Sequence, residues 1–394
     1  MKKTIVLLSI LLLGTLAACG NGPTPTDSDS TLPIIPVATA TRQSSEPALT
    51  DTPEETPILA EPTSIPEPIS IAAQNLKTPW EIAFLPDGKM LVTERSGTLV
   101  VIGGAEYVRI PITDVFERSE SGLLGLALHP DFEQNQWLYL YLTYEGASGL
   151  LNRVERHRFD GDRLTESTLI FDQIPGSNNH DGGRIEFGPD GLLYITTGDS
   201  QNSALAQDID SLAGKILRLH DDGSIPANNP FGNAVYTYGH RNPQGLAWDE
   251  QGRLWSTEHG PSGLGSGYDE LNLIEIGGNY GWPIIQGDQT QDAMIPPKLQ
   301  SGGDETWAPG DLEIVDGVAW FVGLRGATLY SVPLDDIRPE TLQRHLAGEF
   351  GRLRALRLGP DGLLYMGTSN TDGRGIPQQH DDKILRIDWR QLPK

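Results

Sequence analysis

A motif that recurs along the chain constrains its fold more than any other feature. Phe84-Leu-Pro-Asp-Gly-Lys-Met-Leu-Val-Thr-Glu94 is a tight turn followed by a short apolar strand. Its echoes are Leu128-His-Pro-Asp-Phe with Trp137-Leu-Tyr-Leu-Tyr-Leu, and Phe187-Gly-Pro-Asp-Gly-Leu-Leu-Tyr-Ile-Thr-Thr-Gly-Asp199. Further copies are Trp248-Asp-Glu-Gln-Gly-Arg-Leu-Trp-Ser-Thr-Glu258 and Leu358-Gly-Pro-Asp-Gly-Leu-Leu-Tyr-Met-Gly-Thr368, with a degenerate copy at Val315-Asp-Gly-Val-Ala-Trp-Phe-Val322. Proline presets φ at the turn and glycine accepts φ > 0, so the motif is structural punctuation rather than chemistry. Each copy precedes a strand able to close a blade: 97–102, 153–159, 215–219, 270–276, 327–333 and 383–388. Six units at spacings of roughly 43 to 67 residues are near blade length. The expectation is an all-β, six-bladed β-propeller over 69–394. A β-sandwich with extra strands is the alternative, and six alternating pairs of motifs disfavour it.

The segment before the repeats has a different character. Lys2 and Lys3 precede an apolar run from Thr4 to Leu16 that ends in Leu16-Ala17-Ala18-Cys19. A short basic region, an apolar stretch and small residues make a secretory signal over 1–18. The run is too short to span a bilayer comfortably. Cys19 is the only cysteine, so it has no disulfide partner within the chain, and it stands where a bacterial lipobox places the acylated residue. Residues 19–68 follow as a tether. From residue 20 onward they hold ten prolines, fourteen Ser or Thr and no aromatic residue, too little apolar surface to offset ordering entropy. The expectation is an exported protein, lipid-anchored to the membrane and facing the periplasm or cell exterior. A net charge of −24 argues against nucleic acid as a partner.

Ligands of propellers bind at one mouth of the ring. Four polar clusters are not explained by the repeat. They are Asn178-Asn-His-Asp-Gly-Gly-Arg184 with Gly198-Asp199; Gly239-His-Arg-Asn-Pro-Gln-Gly-Leu246; His259-Gly-Pro261 through Asp269-Glu-Leu-Asn272 to Gly277-Gly-Asn-Tyr-Gly-Trp-Pro283; and Gly323-Leu-Arg-Gly326 with Gly351-Arg-Leu-Arg354. In this order they resemble the soluble pyrroloquinoline quinone (PQQ)-dependent glucose and aldose sugar dehydrogenases, across essentially all of residues 74–390.

The resemblance implies oxidation of a sugar at C1 to a lactone, with PQQ and Ca²⁺ as cofactors and an external electron acceptor. His180 matches the general base and Asp199 the carboxylate that orients it. Arg241, Asn242, Arg352 and Arg354 match cofactor contacts. Arg325 stands where the glucose enzymes carry Lys, and Trp307 matches an aromatic near the cofactor plane. PQQ carries three carboxylates, which forked guanidinium donors suit. The carbonyls of Gly260 and Pro261 match ligands of the calcium that polarises the quinone, and Glu270 and Tyr280, with Asp269, match a supporting calcium site. Asn179 and Glu120 depart from the Asp and Gln of relatives at positions that face the sugar, and Gln207 is placed in the same pocket. A non-catalytic binding propeller on this scaffold is the alternative. A drifted binding module has no reason to keep His180, Asp199, Arg241, Asn242, Arg352 and Arg354 together. A calcium-dependent lactonase would need a central cage of carboxylates and amides, which is not found in order.

Overall fold

The computed structural model describes residues 68–392, apart from residues 105 and 262–265. The export signal, Cys19 and the proline-rich segment up to residue 67 lie outside the described residues. The described chain forms six four-stranded antiparallel sheets. Blade 1 runs Pro79–Phe84, Met90–Glu94, Thr98–Ile102 and Tyr107–Pro111. Blade 2 runs Leu123–Leu128, Trp137–Gly146, Gly149–Phe159 and Leu164–Pro175. Blade 3 runs Ile185–Phe187, Leu193–Thr197, Lys215–Leu219 and Val235–Tyr238. Blade 4 runs Pro243–Trp248, Leu254–Glu258, Glu270–Ile274 and Leu299–Gln300. Blade 5 runs Pro309–Val315, Val318–Gly323, Thr328–Pro333 and Gln343–His345. Blade 6 runs Leu353–Leu358, Leu364–Thr368 and Ile384–Ile387. Its fourth strand is Ile69–Ala73 from the other end of the described chain, paired Ile69 to Ile387 and Ser70 to Arg386. This pairing closes the six-bladed β-propeller.

The strands expected to close each blade are the third strands, and a fourth lies outside each of them. The fourth strands escape a reading by apolar pattern because their burial is patchy. Tyr107–Pro111 buries only Ile110, and Leu164–Pro175 buries only Ile170 and Ile174. The second strands are legible for the opposite reason. Met90–Glu94, Leu193–Thr197 and Leu254–Glu258 are buried at every position, since neighbouring sheets cover both faces. Leu91 and Leu99 of blade 1 pack on Leu126 and Leu140 of blade 2. Trp255 and Leu271 of blade 4 pack on Phe321 and Tyr330 of blade 5.

The motif copies all lie between first and second strands. In blade 5 the link is the two residues Asp316-Gly317, at φ 50 and 74, between paired Val315 and Val318. Positive φ at both central residues is the hairpin turn that matches strand twist. Strands alternate in direction, so every first-to-second turn lies at one end of the ring. Every second-to-third loop, and every passage from one blade to the next, lies at the other end. The structural turns and the polar clusters are thereby sorted to opposite faces, except that the segment 277–283 belongs to the long third-to-fourth connection of blade 4 and reaches the site through Trp282.

Charged side chains of the first strands and of Arg184, just before the first strand of blade 3, pair where the blades converge. Arg184 pairs with Glu81 and, at 3.1 Å, with Asp311. Arg357 reaches Glu186 at 2.9 Å and Glu81 at 3.3 Å. Buried ions are tolerated because each finds an opposite partner, and Arg184 also lies over the Trp80 ring at 4.5 Å.

Candidate active site

The loop face opposite the Pro-Asp-Gly turns holds a cavity of about 490 Å³. Its wall includes Glu120, Asn179 and His180 on one side, Arg241, Gly260, Pro261 and Asp269 on another, and Arg325, Arg352 and Arg354 on a third. Ten residues singled out from sequence, distant along the chain, thus meet around one space. Asp199, Asn242, Gln207, Trp307, Glu270 and Tyr280 stand behind the wall rather than on it.

His180 lies in the passage from blade 2 to blade 3, and Asp199 follows the second strand of blade 3. His180 Nδ1 and Asp199 Oδ1 are 2.7 Å apart. Arg241 Nη2 lies 2.9 Å from His180 Nε2. A guanidinium has no acceptor, so it must donate to Nε2, which assigns the proton to Nδ1 and the lone pair to Nε2. Nδ1–H then donates to Asp199, whose Oδ2 accepts the Trp282 indole N–H at 2.8 Å and whose Oδ1 also accepts the Gln201 amide at 2.8 Å. Burial works to raise the Asp199 pKa, but these bonds, led by that from His180, outweigh it and hold the carboxyl below its usual value. The product is a neutral imidazole with an oriented basic nitrogen on the cavity wall.

Gly198 makes this geometry possible. A Cβ there would lie 1.8 Å from the His180 carbonyl oxygen, so only glycine lets the strand end and the His180 loop approach each other. Gln207 supports the same assembly indirectly. Its Nε2 donates to the Trp282 carbonyl at 2.7 Å and to Asn279 Oδ1 at 3.0 Å.

The arginines make the cavity positive within an acidic protein. Arg241, Arg325, Arg352, Arg354 and Arg374 line it, against Glu120 and Asp269. Arg352 Nε donates to Asp372 at 2.7 Å. Arg354 is 3 % exposed, donates Nη1 to Gln244 at 2.8 Å, and has a buried Nε without a partner among the described residues. Burial lowers its pKa to about 9, with Arg95 and Arg352 adding repulsion and Asp372 opposing them. A buried cation with an unsatisfied donor is costly unless an anion completes it. Among the described residues no carboxylate pairs with Arg325 or Arg354. This donor set fits a ligand carrying several carboxylates.

His259 also faces the cavity. Burial, with Arg354 and Arg241 nearby, outweighs the attraction of Glu120 and pushes its pKa down to about 3, so it is neutral; its buried Nε2 has no partner among the described residues. The adjacent Gly260 has no room for a side chain, since a Cβ would meet the Gly267 carbonyl at 2.1 Å. Asp269 shapes this turn. Its oxygens accept the amides of Gly260 at 2.8 Å, Trp307 at 2.7 Å and Ala308 at 3.0 Å. Asn242 Oδ1 accepts the Gly182 amide at 3.0 Å and braces the His180 loop from below.

Trp307 is in the core, packed on Phe321 and Tyr330, while its neighbours Thr306 and Ala308 touch the cavity. Glu270 is half-buried, and desolvation of its carboxyl together with Glu258 drives its pKa well up. Tyr280 stacks on His240 at 4.7 Å, and its hydroxyl donates to the Leu273 carbonyl at 2.7 Å. Among the described residues no group of three or more His, Cys, Asp or Glu side chains is arranged to hold a metal ion.

Sequence reasoning missed Arg374, Trp282 and His259 as site residues. Trp282 and His259 lie inside the third polar cluster, so their sequence context could have marked them. Arg374, in Asp-Gly-Arg-Gly375, carried no signal that separates it from a surface loop.

Residues 76–377 match the Glucose / Sorbosone dehydrogenase family. The chain is 33% identical over 344 residues to the aldose sugar dehydrogenase YliI of Escherichia coli, across 77% of this chain and 91% of that one. The aldose sugar dehydrogenase of Streptomyces coelicolor, solved in its PQQ-bound form, has 39% identity and a TM-score of 0.75 over 81% of this chain and 97% of its own. The soluble aldose sugar dehydrogenase of E. coli in its apo-form has 28% identity and a TM-score of 0.71 over 81% and 98%. This propeller, with an oriented histidine and a ring of arginines at its mouth, belongs to the glucose/sorbosone dehydrogenase family.

Proposed function

We propose that this chain oxidises an aldose, or a related alcohol, at C1 to the lactone, with His180 as general base and PQQ as cofactor. Family membership makes it a quinoprotein oxidoreductase acting on sugars. The observation that carries the finer reading is the His180–Asp199 pair at 2.7 Å, set beside an arginine-lined cavity.

PQQ, when bound, supplies an ortho-quinone that accepts hydride. Arg325 and Arg354 would take its carboxylates, with Arg352 and Arg241 beside them. Calcium would be held by the carbonyls of Gly260 and Pro261, hard oxygen donors of the kind that ion prefers. Glu270 with the Tyr280 backbone is the candidate for a supporting ion.

His180 Nε2 takes the proton of the C1 hydroxyl as the C1–H bond breaks. Arg241, which donates to that nitrogen in the resting arrangement, must yield it to the sugar hydroxyl. Asp199 then stabilises the imidazolium, and the Trp282 and Gln201 hydrogen bonds keep Asp199 in place. General base catalysis of this kind contributes about 10²–10⁴-fold. The electrons pass to an external acceptor.

The test is dye-linked oxidation of a sugar panel by the purified protein given PQQ and Ca²⁺. His180→Ala should abolish turnover while calorimetry still detects PQQ binding. Surviving turnover would overturn the base assignment, and no PQQ binding by the wild type would overturn the cofactor assignment. Export and acylation at Cys19 belong to the same proposal. Incorporation of labelled fatty acid, lost in Cys19→Ser, is the expected result.

A further inference from the structure

The rim of the cavity carries an ion pair that joins blade 6 to the passage between blades 1 and 2. Arg374 projects from the loop after the second strand of blade 6. Asp372 anchors that loop, its Oδ1 accepting the Arg374 amide at 2.8 Å while its Oδ2 accepts Arg352 Nε at 2.7 Å. From there the guanidinium reaches the passages that lead into blades 2 and 3. Nη1 donates to Glu120 Oε1 at 2.8 Å, and Nη2 donates to Asn179 Oδ1 at 2.9 Å and Ser119 Oγ at 3.1 Å. The second oxygen of Glu120 accepts the His180 amide at 3.0 Å. His180 has φ 63, a left-handed conformation that a non-glycine residue keeps only when its surroundings hold it there. Glu120 is one of the groups that hold it, and Arg374 holds Glu120.

The pair also decides the charge of the rim. Side-chain exposure is 12% for Glu120 and 49% for Arg374, so both can be met by an incoming molecule. Together they are formally neutral. Remove one, and the other stands as a single charge beside His180.

We propose that Arg374 and Glu120 form a specificity device for uncharged sugars, in which Arg374 neutralises Glu120 at the rim and through it positions His180. This rests on the reading of the cavity as a sugar-oxidising site. A neutral sugar offers hydroxyls that exchange water for the edges of the pair. An anionic sugar meets Glu120 and must compete with it for Arg374. A cationic sugar meets Arg374 and must compete with it for Glu120. Such discrimination works by repulsion as much as by attraction.

The test compares glucose, glucuronate and protonated glucosamine across the PQQ-loaded wild type, Glu120→Gln, Arg374→Met and the double variant. The wild type should prefer glucose. Glu120→Gln leaves Arg374 unpaired and should raise the glucuronate-to-glucose ratio of kcat/KM about tenfold, mainly through KM. Arg374→Met leaves Glu120 unpaired and should raise the glucosamine-to-glucose ratio by about the same factor. The double variant should move both ratios back towards the wild type. Glucose turnover with ratios unchanged in both single variants would overturn the specificity role.

A second measurement does not depend on turnover. Amide hydrogen exchange over residues 177–181 of the full chain, with and without PQQ, should quicken in Glu120→Gln and less so in Arg374→Met. Unchanged exchange in both would overturn the positioning role. A wild type that oxidises no sugar but shows the exchange response refutes the sugar-oxidising reading and leaves the positioning role standing.

Discussion

Gly198→Ala should disable the site without unfolding the propeller. The position is not in the left-handed region, so alanine brings no backbone strain and acts through volume alone. Its Cβ would lie 1.8 Å from the His180 carbonyl oxygen and 2.2 Å from the carbonyl carbon, whereas real Cβ contacts essentially never fall under 3.0 Å. The two chain segments must therefore separate by at least about 1.2 Å. Both neighbouring atoms are backbone, so no side chain can swing aside. Whichever segment moves, His180 and Asp199 part company, because His180 carries the clashing carbonyl and Asp199 is the next residue after Gly198. A bond of 2.7 Å lengthened by that amount is no longer a hydrogen bond. Misplacement of a reacting group by about 1 Å costs on the order of 10²-fold in rate. We expect kcat to fall about 100-fold in dye-linked turnover at saturating PQQ. PQQ affinity by calorimetry should change much less, because Arg325, Arg352 and Arg354 come from blades 5 and 6. Far-ultraviolet circular dichroism should report the same sheet content. A kcat within about threefold of the wild type would refute the steric reasoning.

Other outcomes follow from the same geometry. Asp199→Asn keeps the shape but loses the charge that stabilises imidazolium, and kcat should fall by about 10²–10⁴ while PQQ still binds. Arg354→Met removes a buried donor with no protein partner at Nε, so calorimetry should show PQQ affinity weakened by about 10- to 100-fold, with little loss of melting temperature. Gly317→Ala places a side chain at φ 74 on the opposite face; denaturant unfolding should register a loss of about 1 kcal/mol with PQQ affinity and turnover intact. Glu120 is held down to about 2: burial opposes ionisation, but His259, the His180 amide and Arg374 outweigh it. Because His259 is neutral at ordinary pH, the amide and Arg374 carry the effect there. A carboxylate with a depressed folded pKa stabilises fully above its unfolded value near 4.5 and loses that contribution as pH falls towards about 2. The wild type should thus exceed Glu120→Gln by about 1–3 kcal/mol in urea titrations at neutral pH, and the gap should close in that acid range.

Six copies of one motif were enough to read a propeller, because blade stacking buries the second strand on both faces. Val92, Ile195 and Trp255 then appear in near-continuous apolar runs behind a turn whose chemistry is local. The fourth strands had no such mark. Half-exposed Tyr107–Pro111 and two-residue Leu299–Gln300 owe their place to the sheet they border, and Ile69–Ala73 to a partner more than 300 residues away. Residue types at the site were legible in the same uneven way. His180, Asp199 and the four arginines sit in dense polar motifs, so chemistry concentrated in short segments could be recognised. Arg374 stands alone between glycines, and its partners Glu120 and Asn179 are 254 and 195 residues distant.

What the sequence by itself determined is whatever depends on neighbours along the chain. That includes the Pro-Asp-Gly turns, the buried second strands, the number of blades and the kinds of groups available for catalysis. Only the tertiary structure decided which groups meet. Closure of the ring through Ile69–Ala73, the Arg184 and Arg357 ion pairs among the first strands, and the Arg374–Glu120 bridge all join residues whose separation in sequence carries no local signal. Alternation of strand direction then sorts the Pro-Asp-Gly turns to one face and most site residues to the other, while Trp282 reaches Asp199 from the long third-to-fourth connection of blade 4. That parity belongs to the folded ring, which is why the site exists only once all six blades are in place.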